Sequence, residues 1–118
     1  MVLISSLGGR LGGAGASAYN MGKAALESLA RSIALEYGRY HICANVLCLG
    51  PVDGDRLARR DAEHPGARDA LLARTPSRRL PTEAQVADLI VMFCSEQIAP
   101  VQGATLDVSA GTHLNTAW

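Results

Sequence analysis

From Ile42 to Leu49 the chain is almost continuously apolar, the pattern of a strand covered on both faces in a parallel sheet. Parallel neighbours need a crossover, and the preceding residues supply one. Between Ser17, a candidate N-cap, and Gly38, a candidate C′ residue, Leu26, Leu29, Ala30, Ile33 and Tyr37 recur at helical steps, while Glu27, Arg31 and Glu36 take other faces. Val2 to Ser5 is a short apolar run that reads as a first buried strand, and Gly8 to Gly15 reads as the loop leading into the helix. Strand, helix, strand implies a right-handed crossover and half of a doubly wound α/β architecture.

Gly50-Pro51-Val52-Asp53-Gly54 then breaks the pattern. The next stretch, about 55–80, holds seven of the eleven basic residues along with Asp55, Asp61, Glu63 and Asp69, and is expected to be a solvated helical flap. Thr82-Glu83-Ala84-Gln85 followed by Val86, Leu89, Ile90 and Phe93 predicts a capped amphipathic helix. Thr105 to Val108 predicts a third short strand.

A length of 118 residues with 48% hydrophobic content suits one domain. Eleven basic and eleven acidic residues cancel, which removes the bulk electrostatic attraction that nucleic acid or an anionic membrane would exploit. No apolar stretch approaches a bilayer span and no basic region precedes Met1-Val2-Leu3-Ile4, so the expectation is a cytoplasmic protein without anchor or signal. Cys43, Cys48 and Cys94 are odd in number and lack metal spacing, and are expected to be buried reduced thiols. His41, His64 and His113 are scattered, so no metal site is expected.

The chemistry concentrates around the only lysine. Lys23 stands four residues after Tyr19 on the predicted helix, so the two share a face, and an ammonium near the phenol would favour its ionised form. Ligands of open parallel sheets bind at the carboxyl ends of the strands. That end brings together Ser5 and Ser6, the first turns of the helix with Tyr19 and Lys23, and the loop at Gly50.

Ser6, a thirteen-residue step to Tyr19, and then Y-x-x-x-K resemble the signature of the short-chain dehydrogenases and reductases. The segments I-S-S-L-G-G-R-L-G, A-Y-N-M-G-K-A-A-L-E-S-L-A-R-S-I-A-L-E-Y, A-N-V-L-C-L-G-P-V-D, R-L-P-T-E-A-Q-V-A and V-Q-G-A-T-L-D-V-S-A-G are similar to consecutive blocks of that family, in the same order. Two letters recur by chance; five ordered blocks do not.

The resemblance implies a Rossmann-like fold, NAD or NADP as cofactor, and hydride transfer between nicotinamide and a carbonyl or secondary alcohol. By resemblance Tyr19 exchanges a proton with the substrate oxygen, Lys23 holds the nicotinamide ribose and lowers the tyrosine pKa, Ser6 hydrogen-bonds the carbonyl oxygen, and Gly50, Pro51 and Val52 line the nicotinamide side. The flap covers a small-molecule substrate. The resemblance also implies a homodimer or homotetramer, with Leu26 to Tyr37 and Val101 to Val108 as interface regions.

Departures accompany the matches. Leu49-Gly50 replaces the family's Pro-Gly, and Gly54 replaces a threonine near the carboxamide or phosphate. No G-x-x-x-G-x-G unit for the pyrophosphate precedes Met1, so 1–118 is expected to be the C-terminal, active-site half of such a domain, without the dinucleotide-binding half. Two functions follow: an NAD(P)-dependent oxidoreductase, or a truncated and inactive relic serving as an interaction module.

Overall fold

A computed structural model describes residues 1–114. Its elements, in order, are β1 (Val2–Ser6), α1 (Leu7–Leu11), α2 (Ser17–Tyr37), β2 (Asn45–Leu49), α3 (Asp55–Glu63), α4 (Ala67–Arg74), α5 (Glu83–Phe93) and β3 (Thr105–Val108), with 3-10 turns at Gly38–Tyr40, Glu96–Ile98 and Thr112–Leu114. The three strands form one parallel sheet in the order β1-β2-β3.

The central place of β2 follows from its composition. Ala44, Asn45, Val46, Leu47 and Cys48 are all fully buried, as a strand covered on both faces requires. Asn45 is tolerated there because its amide is satisfied: Nδ2 donates to Val101 O at 2.8 Å and Oδ1 accepts from Ala104 N at 3.0 Å. Leu47 and Val108 meet Val86 of α5, with Ile4, Leu89, Ile90 and Phe93 packed around them. Alternation sends Ser5, Cys48 and Asp107, which stand opposite one another in register, to the other face, where α2 packs against β1 and β2.

The expected α5 is present, with a complete capping box between Thr82 and Gln85. The flap is helical, as α3 and α4. Three expectations about caps and loops are corrected. Ala16, without a side-chain bond, is the N-cap of α2, and Ser17 is its first helical residue. Gly38 is αR and continues as a 3-10 turn, so the left-handed residue is His41, at φ 60°. The stretch read as a loop contains α1, capped by Ser6. Its Gly9 has a packing role: a Cβ there would stand 2.7 Å from Ala24 N and 2.9 Å from the Lys23 carbonyl carbon, so only glycine lets α1 approach α2 this closely.

The rotation of α2 also differs. Ala30 is buried and Leu26 and Ile33 are partly covered, but Leu29 and Tyr37 are exposed, and Glu27 turns inward with its side chain 13% exposed. Of the thiols, Cys48 is buried, Cys43 is partly covered and Cys94 is exposed, so burial describes only the one on β2. Cys94 follows the last turn of α5, beyond its packed face. Among the described residues no helix is long and apolar enough to cross a membrane, and no group of three metal-ligating side chains exists.

Candidate functional site

Consecutive residues of β1 point to opposite faces, and this divides the two serines by task. Ser6 Oγ accepts from Gly8 N at 3.2 Å and caps α1. Ser5, 1% exposed, donates its hydroxyl toward Lys23 O at 2.9 Å, with Glu27 Oε1 at 3.2 Å. Glu27 in turn accepts from Arg10 Nε at 3.0 and 3.2 Å, and this hydrogen bond raises the arginine pKa above its ordinary value. Strand β1, helix α1 and helix α2 are thereby tied together at the turn that carries Lys23.

The ammonium of Lys23 donates to Ile4 O at 2.8 Å and lies 5.6 Å from the ring centroid of Tyr19. It therefore faces the strand and the aromatic ring, where the sequence suggested the phenolic hydroxyl. One of its three N–H donors is used by the strand, which leaves two for a ligand.

Ser6, Tyr19, Lys23, Gly50, Pro51 and Val52 all line one cavity of about 540 Å³ at the carboxyl ends of β1 and β2. Tyr19 is 48% exposed, within reach of a ligand. Gly50 closes against the end of β3: a Cβ there would stand 2.5 Å from Ser109 Cβ. At Gly54 the space a side chain would use is taken by the Glu83 carboxylate, so the family's threonine would have to displace an acid.

Two other groups shape the surroundings. Arg68 bonds Asp53 through Nε at 3.3 Å and its terminal nitrogen at 2.5 Å, which holds the aspartate pKa below the usual carboxylate range and ties α4 to the loop after β2. Asp53 also bridges Thr82 in the start of α5. Behind the cavity, burial pushes the Cys48 thiol up to about 11. Beside it Asp107 Oδ1 accepts from the Ser109 hydroxyl and lies 3.0 Å from His113 Nδ1, while Oδ2 has no hydrogen-bond partner among the described residues.

The structure thus gathers every residue singled out from the sequence. It adds Ser5, Glu27 and Arg10 as supports, and Arg56, Arg60, Leu57 and Leu71 as lining from the flap. The period of two in β1 was the available signal for Ser5, and the four-residue step from Arg56 to Arg60 for the flap. Nothing local signals that Glu27 turns inward.

The cavity sets the Lys23 ammonium and the Tyr19 phenol beside an apolar wall from Leu49, Pro51 and Val52, with Arg56, Arg60 and Glu83 also in its lining.

A family model described as enoyl-(acyl carrier protein) reductase matches residues 1–113. The chain is 34% identical over 106 residues to 2-(R)-hydroxypropyl-CoM dehydrogenase of Xanthobacter autotrophicus, covering 90% of this chain and 42% of that protein. It is 34% identical over 116 residues to 3-oxoacyl-(acyl-carrier-protein) reductase of Pseudomonas aeruginosa, covering 98% of this chain and 45% of that one. A solved oxidoreductase of the short-chain dehydrogenase/reductase family from Burkholderia thailandensis superposes with a TM-score of 0.86 at 31% identity, over 96% of this chain and 44% of its own. Solved structures sharing the fold, at 19% and 24% identity and TM-scores of 0.86 and 0.85, include complexes with NADH and with NADP. The chain spans less than half the length of these curated relatives.

Proposed function

The chain belongs to the short-chain dehydrogenase/reductase family, and from that membership we propose that it contributes the proton-transfer and substrate side of an NAD(P)-dependent oxidoreductase interconverting a carbonyl and a secondary alcohol. The observation that carries this reading is the convergence of Ser6, Tyr19 and Lys23, from separate elements, on one cavity at the carboxyl edge of the sheet.

NAD(P)H, when bound, supplies the hydride that the carbonyl carbon receives. Tyr19 gives its phenolic proton to the carbonyl oxygen, and in the reverse direction takes it back from the alcohol. Ser6 presents a hydroxyl hydrogen to the same oxygen while its lone pair keeps the Gly8 N–H. This stabilises charge that develops only during transfer. Lys23 holds the ribose hydroxyls with the donors left by Ile4 and supports the phenolate electrostatically. Leu49, Pro51 and Val52 keep water from the ring. Ser5, Glu27 and Arg10 touch none of the reacting atoms; they fix the turn bearing Lys23.

The same reading includes self-association through 26–37 and 101–108. Leu29, Leu35 and Tyr37 stand 47%, 87% and 45% exposed along α2, more apolar surface than a solitary helix face requires.

The test is a fluorescence titration of NADH and NADPH into the folded chain, followed by turnover with carbonyl substrates in wild type and Tyr19→Phe. Saturable binding is expected in both. Turnover in the variant should fall by roughly 10²–10⁴-fold, the usual contribution of a positioned acid. Unchanged turnover removes Tyr19 from its role. A folded chain that binds neither nucleotide favours the second reading, an interaction module without catalysis.

A further inference from the structure

We propose that Arg56 and Arg60 form an anion-recognition pair at the mouth of the Tyr19 cavity, and that the substrate is a carbonyl compound bearing an acidic oxygen group such as a carboxylate or phosphate. The proposal rests on the reading of this cavity as the carbonyl site.

The two guanidinium groups stand one helical turn apart on α3 and both line the cavity with Tyr19. Like charges at this spacing repel each other along a helix, so no mutual contact between the two arginines stabilises α3. Leu57, between them in sequence and 6% exposed, anchors the helix against the core. The arginines themselves are exposed, reachable by a ligand from solvent.

Two other cations nearby are already paired with acids, Arg10 with Glu27 and Arg68 with Asp53, while Lys23 gives one donor to the Ile4 carbonyl and faces the Tyr19 ring. Among the described residues no acidic side chain is paired with Arg56 or Arg60. The lining contains three cationic side chains and one acid, Glu83, whose carboxylate sits against Gly54. In a chain whose eleven basic and eleven acidic residues cancel, that is a local excess of positive charge. Planar guanidinium groups in pairs favour carboxylate or phosphate oxygens, and Leu57 and Leu71 give the hydrocarbon between acid and carbonyl an apolar wall.

The test uses acetoacetate and methyl acetoacetate, which differ in one charge, titrated into the cofactor-free chain and followed by NMR shifts. The acid should bind roughly tenfold or more tightly than the ester, as charge-assisted hydrogen bonds allow. The preference should vanish in Arg56→Gln/Arg60→Gln and persist in part in Arg56→Lys/Arg60→Lys. Arg59→Gln, an exposed arginine of α3 outside the lining, should leave it unchanged. Circular dichroism melts of each variant confirm the fold.

Equal or absent binding of acid and ester overturns the proposal, as does a preference that survives the double glutamine variant. A third arm titrates nicotinamide mononucleotide and nicotinamide riboside. Loss of only the mononucleotide's advantage in the glutamine variant, with the acid preference intact, assigns the pair to a cofactor phosphate and also overturns it. Because binding is read without hydride transfer, absent turnover alongside charge-dependent binding counts against the oxidoreductase reading alone.

Discussion

Cys48 occupies the middle of the sheet, opposite Ser5 on one side and Asp107 on the other, and burial pushes its thiol up to about 11. Since the thiolate is the reactive form, iodoacetamide at pH 8 should modify the exposed Cys94 first and reach Cys48 only on unfolding. Peptide mapping by mass spectrometry checks this; equal labelling rates would contradict it. Asp53 gives a prediction of opposite sign. Its pKa is lowered by the hydrogen bond from Arg68, so the folded protein binds fewer protons there than the unfolded chain. The stabilisation is complete above the unfolded value of about 3.9 and disappears as pH falls through the lowered folded value. Asp53→Asn should flatten the acid limb of the stability curve in urea melts at pH 2–5. The burial of Cys48 is legible in its apolar run, whereas the pairing of Asp53 with Arg68, fifteen residues away, is not.

At the level of elements, the sequence signals that proved accurate are those with short range. Thr82 and Gln85 are three residues apart, and both bonds of their box form, at 3.2 and 3.0 Å. Thr82→Ala should therefore cost about 1 kcal/mol in denaturant unfolding, and Thr82→Ser nearly nothing. A loss below a few tenths would show that packing of Val86, Leu89, Ile90 and Phe93 holds α5 without its cap. Helix α2 shows the converse. Its periodicity located it within a residue or two but not its rotation, because several apolar faces compete along it and contact with β1 and β2 selects one. The choice buries Ala30 and leaves Leu29 outside. Gly8 to Gly15 differs from the expected loop for a related reason: glycine signals freedom when taken alone, whereas Gly9 is required by contact with α2.

For the whole molecule, the Cα radius of gyration is 15.5 Å, against roughly 13.5 Å for a compact domain of this length. Among the described residues the outer strands β1 and β3 each pair on one side only and much of α2 is exposed, and unpaired edges and apolar faces favour association. Sedimentation should show a concentration-dependent dimer or larger species. Leu35→Glu, at a position 87% exposed, should shift it toward monomer without lowering helix content. A monomer at all concentrations in the wild type would remove self-association from the proposed function.

What the sequence alone determined is what neighbours in the chain decide: that the run from Ile42 to Leu49 carries a covered strand, which the structure confines to Asn45–Leu49 with Ile42 exposed, that helices start near Ser17 and Thr82, and that Ser6, Tyr19 and Lys23 stand at spacings matching a known family. Periodicity and capping act over a few residues, so they can be read without a partner. The tertiary structure decided what depends on register and rotation. It bonded the Ser5 hydroxyl to the Lys23 carbonyl, turned Glu27 toward Arg10, and set Lys23 against the Tyr19 ring. It also brought the flap arginines, more than thirty residues from Tyr19 in the chain, to the same cavity. Those placements come from close packing between distant segments, where a shift of one residue in register or about 100° in helix rotation would reverse each of them.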